Sequence, residues 1–323
     1  MRILFDLSRL TPGGAGGGIK QTLFGLLHWW QEGDRGQSTD LLLVTNTQTR
    51  AELLPFVRTG VQVLDASEAS ASSAAEFNCD LVYCAFGTTD FACPGIPTVV
   101  LIVDLLHRDF PDSIPEADRA FREQQLQSAL VIADCFHVIS DFTSVRLQQT
   151  YGVAPERIVR TYLPLHGRFA FADTPAEPAA LAPPPYFLYP ANTWVHKNHE
   201  VLLAAYAAYC RSAGQGRWPL VLTGHVHDSR ASALRDLTRS LGIDDQVLWA
   251  GFVDEPKLAS LYAQAGALVF PSLYEGFGLP LLEAMAAGVP ILASNAACIP
   301  EIVGNAALLL DACETIQPLQ RQH

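Results

Sequence analysis

Charge is scarce in this chain of 323 residues: Asp, Glu, Lys and Arg together make up 17%, below the ~25% of an average globular protein. Of that small stock, 21 residues are Lys or Arg against 33 Asp or Glu, a formal net charge of -12. No basic reservoir remains to neutralise a nucleic-acid backbone or an anionic bilayer, so nucleic acid is excluded as a main partner. The seven cysteines, at 79, 84, 93, 135, 210, 298 and 313, are odd in number and include no Cys-x-x-Cys pair or matching His cluster. That argues against both a disulfide framework and a zinc site. Long apolar runs are missing too. Asp6 interrupts the run Ile3-Leu4-Phe5 too early for a signal peptide, and no stretch of about 18 apolar residues could span a membrane. A cytoplasmic protein is expected, peripheral at most at the inner face of a membrane.

What the chain has in quantity is core. Hydrophobic types make up 49% of it, and at about 150 residues per domain the length suggests roughly two domains. Ile3–Leu7 is a short apolar run that leads into the cluster Gly13-Gly14-Ala15-Gly16-Gly17-Gly18. After it Ile19, Leu23, Leu26 and Leu27 recur at helical spacing, a strand, glycine loop and helix. Further strands are expected at 41–44, 61–64, 81–84, 98–103 and 138–139, with helices near 116–131 and 143–150. The first domain, residues 1–172, therefore reads as α/β with a mostly parallel sheet. Residues 173–185 carry the prolines of TPAEPAALAPPP, which deny backbone donors and mark a linker. From Tyr186 to the end, strands at 187–189, 220–223, 247–250, 267–270 and 291–293 alternate with helices starting near 199, 229, 255 and 279. This alternation implies right-handed crossovers and a doubly wound sheet.

The densest chemical signal is PSLYEGFGLPLLEAMAAGVPILAS, residues 271–294. Gly276 and Gly278 allow close backbone approach, Pro280 suits a helix's first turn, and free N–H groups near Gly278 and Leu279 favour a phosphate. Glu275 precedes that helix, while Glu283 lies more than one turn inside it. Two glutamates so spaced are ordinarily solvated. Glu283, however, is flanked by Leu281, Leu282, Ala284 and Met285, so an acid there needs a partner.

These residues resemble the family 4 nucleotide-sugar-dependent glycosyltransferases, the group 1 type, whose retaining members have the GT-B fold. The resemblance covers most of the chain and implies two Rossmann-like domains facing across a cleft. The family's two glutamates with seven residues between them appear as Glu275 and Glu283, followed by Pro300-Glu301. The resemblance assigns Glu275 to the donor sugar and Glu283 to the ribose. Asn192-Thr193-Trp194-Val195-His196-Lys197-Asn198-His199 is similar to the segment whose lysine holds the donor diphosphate. Asn192 stands where many members have a basic residue, which leaves Lys197 as the main cation, with Arg230 as a possible helper. Phe252 and Val253 match the segment that meets the nucleotide base, although a plain strand end would read the same. Gly17 and Gly18 match the glycine loop that approaches donor phosphates and acceptor.

Asp104 and His107 resemble the family's strand-end His-Asp segment. Val103 stands directly before Asp104 where a histidine is usual, and some relatives place the histidine three residues after the aspartate, where His107 sits. Ser140-Asp141 resembles a turn lining the cleft and equally suits a helix N-cap. Members usually continue through further helices, so the polar tail ETIQPLQRQH implies that the C-terminal crossover helix is missing. Leu23, Phe24, Leu27, Trp29 and Trp30 fit either a first-helix core or a membrane-facing patch.

The function implied is retaining transfer of a hexose from a nucleotide-diphosphate sugar, GDP- or UDP-linked, to a glycan or lipid-linked acceptor in surface polysaccharide synthesis. Similar wording in mannosyltransferases puts mannose first. No Asp-x-Asp stands in the donor position, so Lys197 and the helix N-terminus rather than a metal would stabilise the departing diphosphate, and no cofactor is expected. Two alternatives stay open: a GT-B nucleotide-sugar hydrolase or epimerase, and a non-catalytic nucleotide-sugar-binding remnant.

Overall fold

In the computed structural model, which describes residues 1–13, 17–32, 39–165, 181–225 and 228–311, the chain forms two units, Met1–His166 and Gly167–His323. The expected linker at 173–185 lies largely outside the described residues, as does the tail from 312.

The first unit is built on strands β1 (Arg2–Leu7), β2 (Asp40–Thr45), β3 (Val61–Asp65), β4 (Leu81–Cys84), β5 (Thr98–Ile102), β6 (Cys135–Val138) and β7 (Ile158–Arg160). Its helices are α1 (Gly17–Glu32), α2 (Arg50–Leu53), α3 (Ser73–Glu76), α4 (Leu106–Asp109), α5 (Glu116–Ile132) and α6 (Asp141–Tyr151). All pairings are parallel, in the order β3-β2-β1-β4-β5-β6-β7. Strands β1 and β2 are buried in every residue but their first, the near-continuous apolar reading of a sheet covered on both faces. One face packs Leu4, Val44, Val82, Val100, Phe136 and Val138 with Leu126 and Ala129 of α5 and Leu147 of α6.

The second unit has β8 (Phe187–Pro190), β9 (Leu220–Thr223), β10 (Val247–Gly251), β11 (Ala267–Phe270), β12 (Ile291–Ser294) and β13 (Ala307–Leu310). Between them run α7 (His199–Ala213), α8 (Asp228–Ser240), α9 (Glu255–Gln264), α10 (Leu279–Ala286) and α11 (Ile299–Val303). Its parallel order is β10-β9-β8-β11-β12-β13. Each sheet reverses direction of growth once, between β1 and β4 and between β8 and β11. Ligands of such sheets bind beyond the strand carboxyl ends at that switch point.

Three strands differ from the sequence reading. The strand expected at 138–139 runs over Cys135–Val138, with His137 inside it. β7 and β13 are edge strands that the reading did not assign. Ser140 is an N-cap, its Oγ accepting from Thr143 N at 3.2 Å. Leu23 and Leu27 are buried and Phe24 meets the ring of Phe56 edge-on at 5.4 Å, so these three belong to the core; Trp29 is 49% exposed. Among the described residues no helix is long and apolar enough to cross a membrane, and the six cysteines among them are free thiols.

Candidate functional site

The switch point of the second sheet brings two loops together. The loop after β8 passes through a single 3-10 turn, Val195–Lys197, and enters α7 through Asn198 in the left-handed region. The loop after β11 runs from Pro271 to Gly278, whose φ of 95° starts α10. A side chain at Gly278 would be strained by that angle and would meet Leu281 Cδ1 at 2.9 Å.

Hydrogen bonds join the loops directly: Leu273 N donates to His196 O at 2.8 Å, and Asn198 Nδ2 to Pro271 O at 3.1 Å. The fully buried Tyr189 of β8 donates its hydroxyl to Lys197 O at 2.7 Å and lies 3.0 Å from Ser272 Oγ. Ser294 of β12 in turn bonds Ser272 O. Cys298 Sγ reaches Glu275 O at 3.2 Å and Phe277 O at 3.3 Å. Burial, and then the nearby Glu275 charge, push both the Tyr189 phenol and the Cys298 thiol well above their ordinary values. Both groups therefore keep their protons and act as donors at neutral pH.

The result of this bracing is one short contact. Lys197 Nζ stands 2.6 Å from Glu275 Oε1, with the two side chains 18% and 10% exposed. The two residues that the resemblance assigns to the diphosphate and the sugar are thus brought together.

Glu283 occupies the second turn of α10 and is 2% exposed. The partner that its apolar surroundings demand is Tyr262 of α9, whose hydroxyl donates to Glu283 Oε2 at 2.7 Å. Asn192 is engaged by its own fold, its Oδ1 accepting from His225 N at 2.8 Å. Arg230 donates to Thr193 O at 2.8 Å and pairs with Glu200. Phe252 is 56% exposed and stacks on the ring of His225, centroids 4.9 Å apart at 22°; Val253 follows it, half-buried.

In the first unit, Gly17 and Gly18 form the first turn of α1 rather than a loop, and Gly14, Ala15 and Gly16 lie outside the described residues. The buried Lys20 donates to Thr11 O at 3.0 Å and Gly13 O at 2.9 Å and pairs with Glu52, which also accepts from Gly13 N at 3.0 Å. Asp104 follows β5 and its Oδ1 accepts from Leu106 N at 3.0 Å, ordering the start of α4. His107, in α4, is 5% exposed, with Nε2 3.2 Å from Glu123 Oε2; burial lowers its pKa against the opposing pull of Glu123 and Asp104.

Sequence reasoning missed Tyr189, Tyr262, Cys298 and the Lys20–Glu52 clamp. None carries a motif, because each acts through a backbone or carboxylate partner that only the fold brings to it.

Residues 173–320 match the family model described as glycosyl transferases group 1. The second unit is thus similar to group 1 glycosyl transferases. The O-antigen chain mannosyltransferase B of Escherichia coli is 32% identical to the chain over 184 residues, 55% of this chain and 48% of that protein. The chain thus spans about half the length of that curated relative. A glycosyltransferase of Rickettsia africae superposes with a TM-score of 0.71 at 15% identity, covering 99% of this chain and 87% of that one. Anabaena HepE in complex with UDP-glucose gives 0.71 at 17% identity, over 99% and 91%. Both likenesses show the fold: two parallel-sheet, Rossmann-like units of the GT-B type. Within the second unit, Lys197, Glu275 and Glu283 all stand at or beyond the carboxyl ends of β8 and β11.

Proposed function

We propose that the chain is a retaining, metal-independent glycosyltransferase of family 4 that moves a hexose from a nucleotide-diphosphate sugar to a glycan or lipid-linked acceptor in surface polysaccharide synthesis. Mannose from GDP-mannose is the first candidate, because a relative 32% identical over 184 residues is an O-antigen chain mannosyltransferase. The observation that carries the reading is the convergence of Lys197 and Glu275 at 2.6 Å on the switch point, with Glu283 buried on the helix that starts there.

In this reading the donor diphosphate lies against Lys197 and the first N–H groups of α10 at Gly278 and Leu279, whose dipole favours negative charge. Glu283 accepts from ribose hydroxyls, Glu275 from those of the sugar, and the base lies near Phe252 and Val253. Gly17 and Gly18 approach the donor phosphates and acceptor. Asp104 and His107 are the first unit's candidates for contact with the reacting sugar. The acceptor oxygen forms its bond to the anomeric carbon on the face from which the phosphate oxygen departs. That oxygen takes the acceptor proton while Lys197 and the helix N-terminus hold the negative charge that develops on it.

The test is to incubate the purified chain with GDP-mannose and a mannosylated acceptor. Release of GDP with a new glycoside of the donor's anomeric configuration, lost in Lys197→Ala and Glu283→Ala, is the expected result. Consumption of donor without any acceptor would instead indicate hydrolysis, and binding without turnover across acceptors would indicate a non-catalytic protein.

A further inference from the structure

Both cations assigned to the diphosphate are already held by carboxylates. Arg230 pairs with Glu200, in a contact whose side chains are 26% and 48% exposed, so solvent screens it. Lys197 pairs with Glu275 at 2.6 Å with only 18% and 10% exposed. The second contact is built from both sides. Tyr189 fixes the carbonyl of Lys197, and Cys298 fixes the carbonyl of Glu275.

An ammonium and a carboxylate this close and this shielded form a charge-assisted hydrogen bond. A phosphate that draws Lys197 away leaves Glu275 as a largely buried acid without its main cation, and that is costly unless the ligand brings donors of its own. Sugar hydroxyls are such donors. A nucleoside diphosphate without the sugar can satisfy Lys197 but offers nothing to Glu275, since its phosphates are acceptors carrying the same sign of charge.

We propose that Glu275, by competing for Lys197, makes the site select the intact sugar nucleotide over the sugar-free nucleoside diphosphate, and that it reclaims Lys197 once the sugar has left. Glu275 is then a specificity-determining residue that favours release of the product nucleotide, in addition to any contact with the sugar. The inference rests on the donor-site reading above.

Calorimetric titration of the full chain with GDP, GDP-mannose, UDP and UDP-glucose tests it. In the unsubstituted protein the sugar nucleotide should bind more tightly than its own diphosphate. Glu275→Gln keeps the shape and removes the charge, so the diphosphate should gain roughly tenfold in affinity while the sugar nucleotide gains nothing, and the preference collapses. Glu275→Asp, which retracts the carboxylate by one methylene, should fall between the two. Adding Lys197→Met to Glu275→Gln should erase the gain. A folded Glu275→Gln protein that binds the diphosphate no more tightly than the unsubstituted chain overturns the proposal while leaving the donor site standing. If neither folded chain binds any of the four probes, the donor-site reading falls and the proposal with it.

Discussion

The hydroxyl of Tyr262, on α9, lies 2.7 Å from Oε2 of Glu283, on α10. Both residues are buried, at 0% and 2% exposure, so the acid that the sequence marked as needing a partner receives a strong donor from the neighbouring helix. Tyr262→Phe removes that donor and leaves the shape nearly unchanged. It should destabilise the protein by about 1–3 kcal/mol, the cost of a buried group losing a hydrogen bond, read from the midpoint of urea unfolding. A change below about 0.3 kcal/mol, well under that range, would show that the contact contributes nothing.

Gly224 ties β9 to the segment leading to Lys197. It sits at φ +116°, and a Cβ there would lie 2.6 Å from the carbonyl carbon of Ala191 and 2.8 Å from the nitrogen of Asn192. Backbone cannot yield as a flexible side chain can. Gly224→Ala should cost roughly 2 kcal/mol or more through strain and displacement, and should weaken nucleotide binding even where the protein remains folded. Thermal melting and calorimetry on one preparation separate the two effects.

His137 sits inside the first sheet with Nδ1 2.6 Å from the Tyr83 hydroxyl and Nε2 2.5 Å from Thr161 Oγ1. Burial lowers its pKa to about 4 from 6.5. A histidine depressed on folding binds its proton more readily in the unfolded chain, so stability is fully present above pH 6.5 and declines as the pH falls towards 4. The loss from this residue is on the order of 3 kcal/mol. Denaturant unfolding at several pH values should show the decline, and His137→Gln should flatten it. In the second unit His199, lowered to about 3 chiefly by burial, should produce a parallel loss of the same sign.

Cys298 is fully buried and its thiol is pushed well above 9.0, chiefly by burial. The thiolate is the reactive form. Cys298 should therefore resist alkylating reagents in the native protein and be modified only on unfolding, as peptide mass spectrometry would show. Rapid labelling under native conditions would mean that the Glu275 loop opens on its own. Cys298→Ala should loosen that loop by removing the donor to Glu275 O and Phe277 O, and should weaken the coupling between Lys197 and Glu275.

Much of the architecture was legible because its signals are local. Continuous apolar runs such as Leu41–Val44 and Leu220–Thr223 have few uses other than buried parallel strands, and Ser140 starts a helix with chemistry that depends on near neighbours. Failures came where neighbours in space decide. β7 is three residues long with Val159 and Arg160 exposed, so only its pairing with β6 makes it a strand. His137 disguised β6, since a polar residue interrupts the run until Tyr83 and Thr161 are seen to satisfy it.

The residue types of the candidate site are legible in short contiguous stretches: one glutamate before a glycine-started helix, a second inside it, and a lysine before another helix. Their flanking residues are contiguous, and contiguity is what a sequence records. It takes the fold to show that Lys197 and Glu275, 78 positions apart, share one hydrogen bond, and that Tyr262 donates one to Glu283. Those distances depend on strand order, which places β8 beside β11, and on loops pinned by hydroxyl, thiol and amide donors from β8, the segment before α11 and the start of α7. Such long-range pairings are set when the sheet closes, and no local pattern in the chain encodes them.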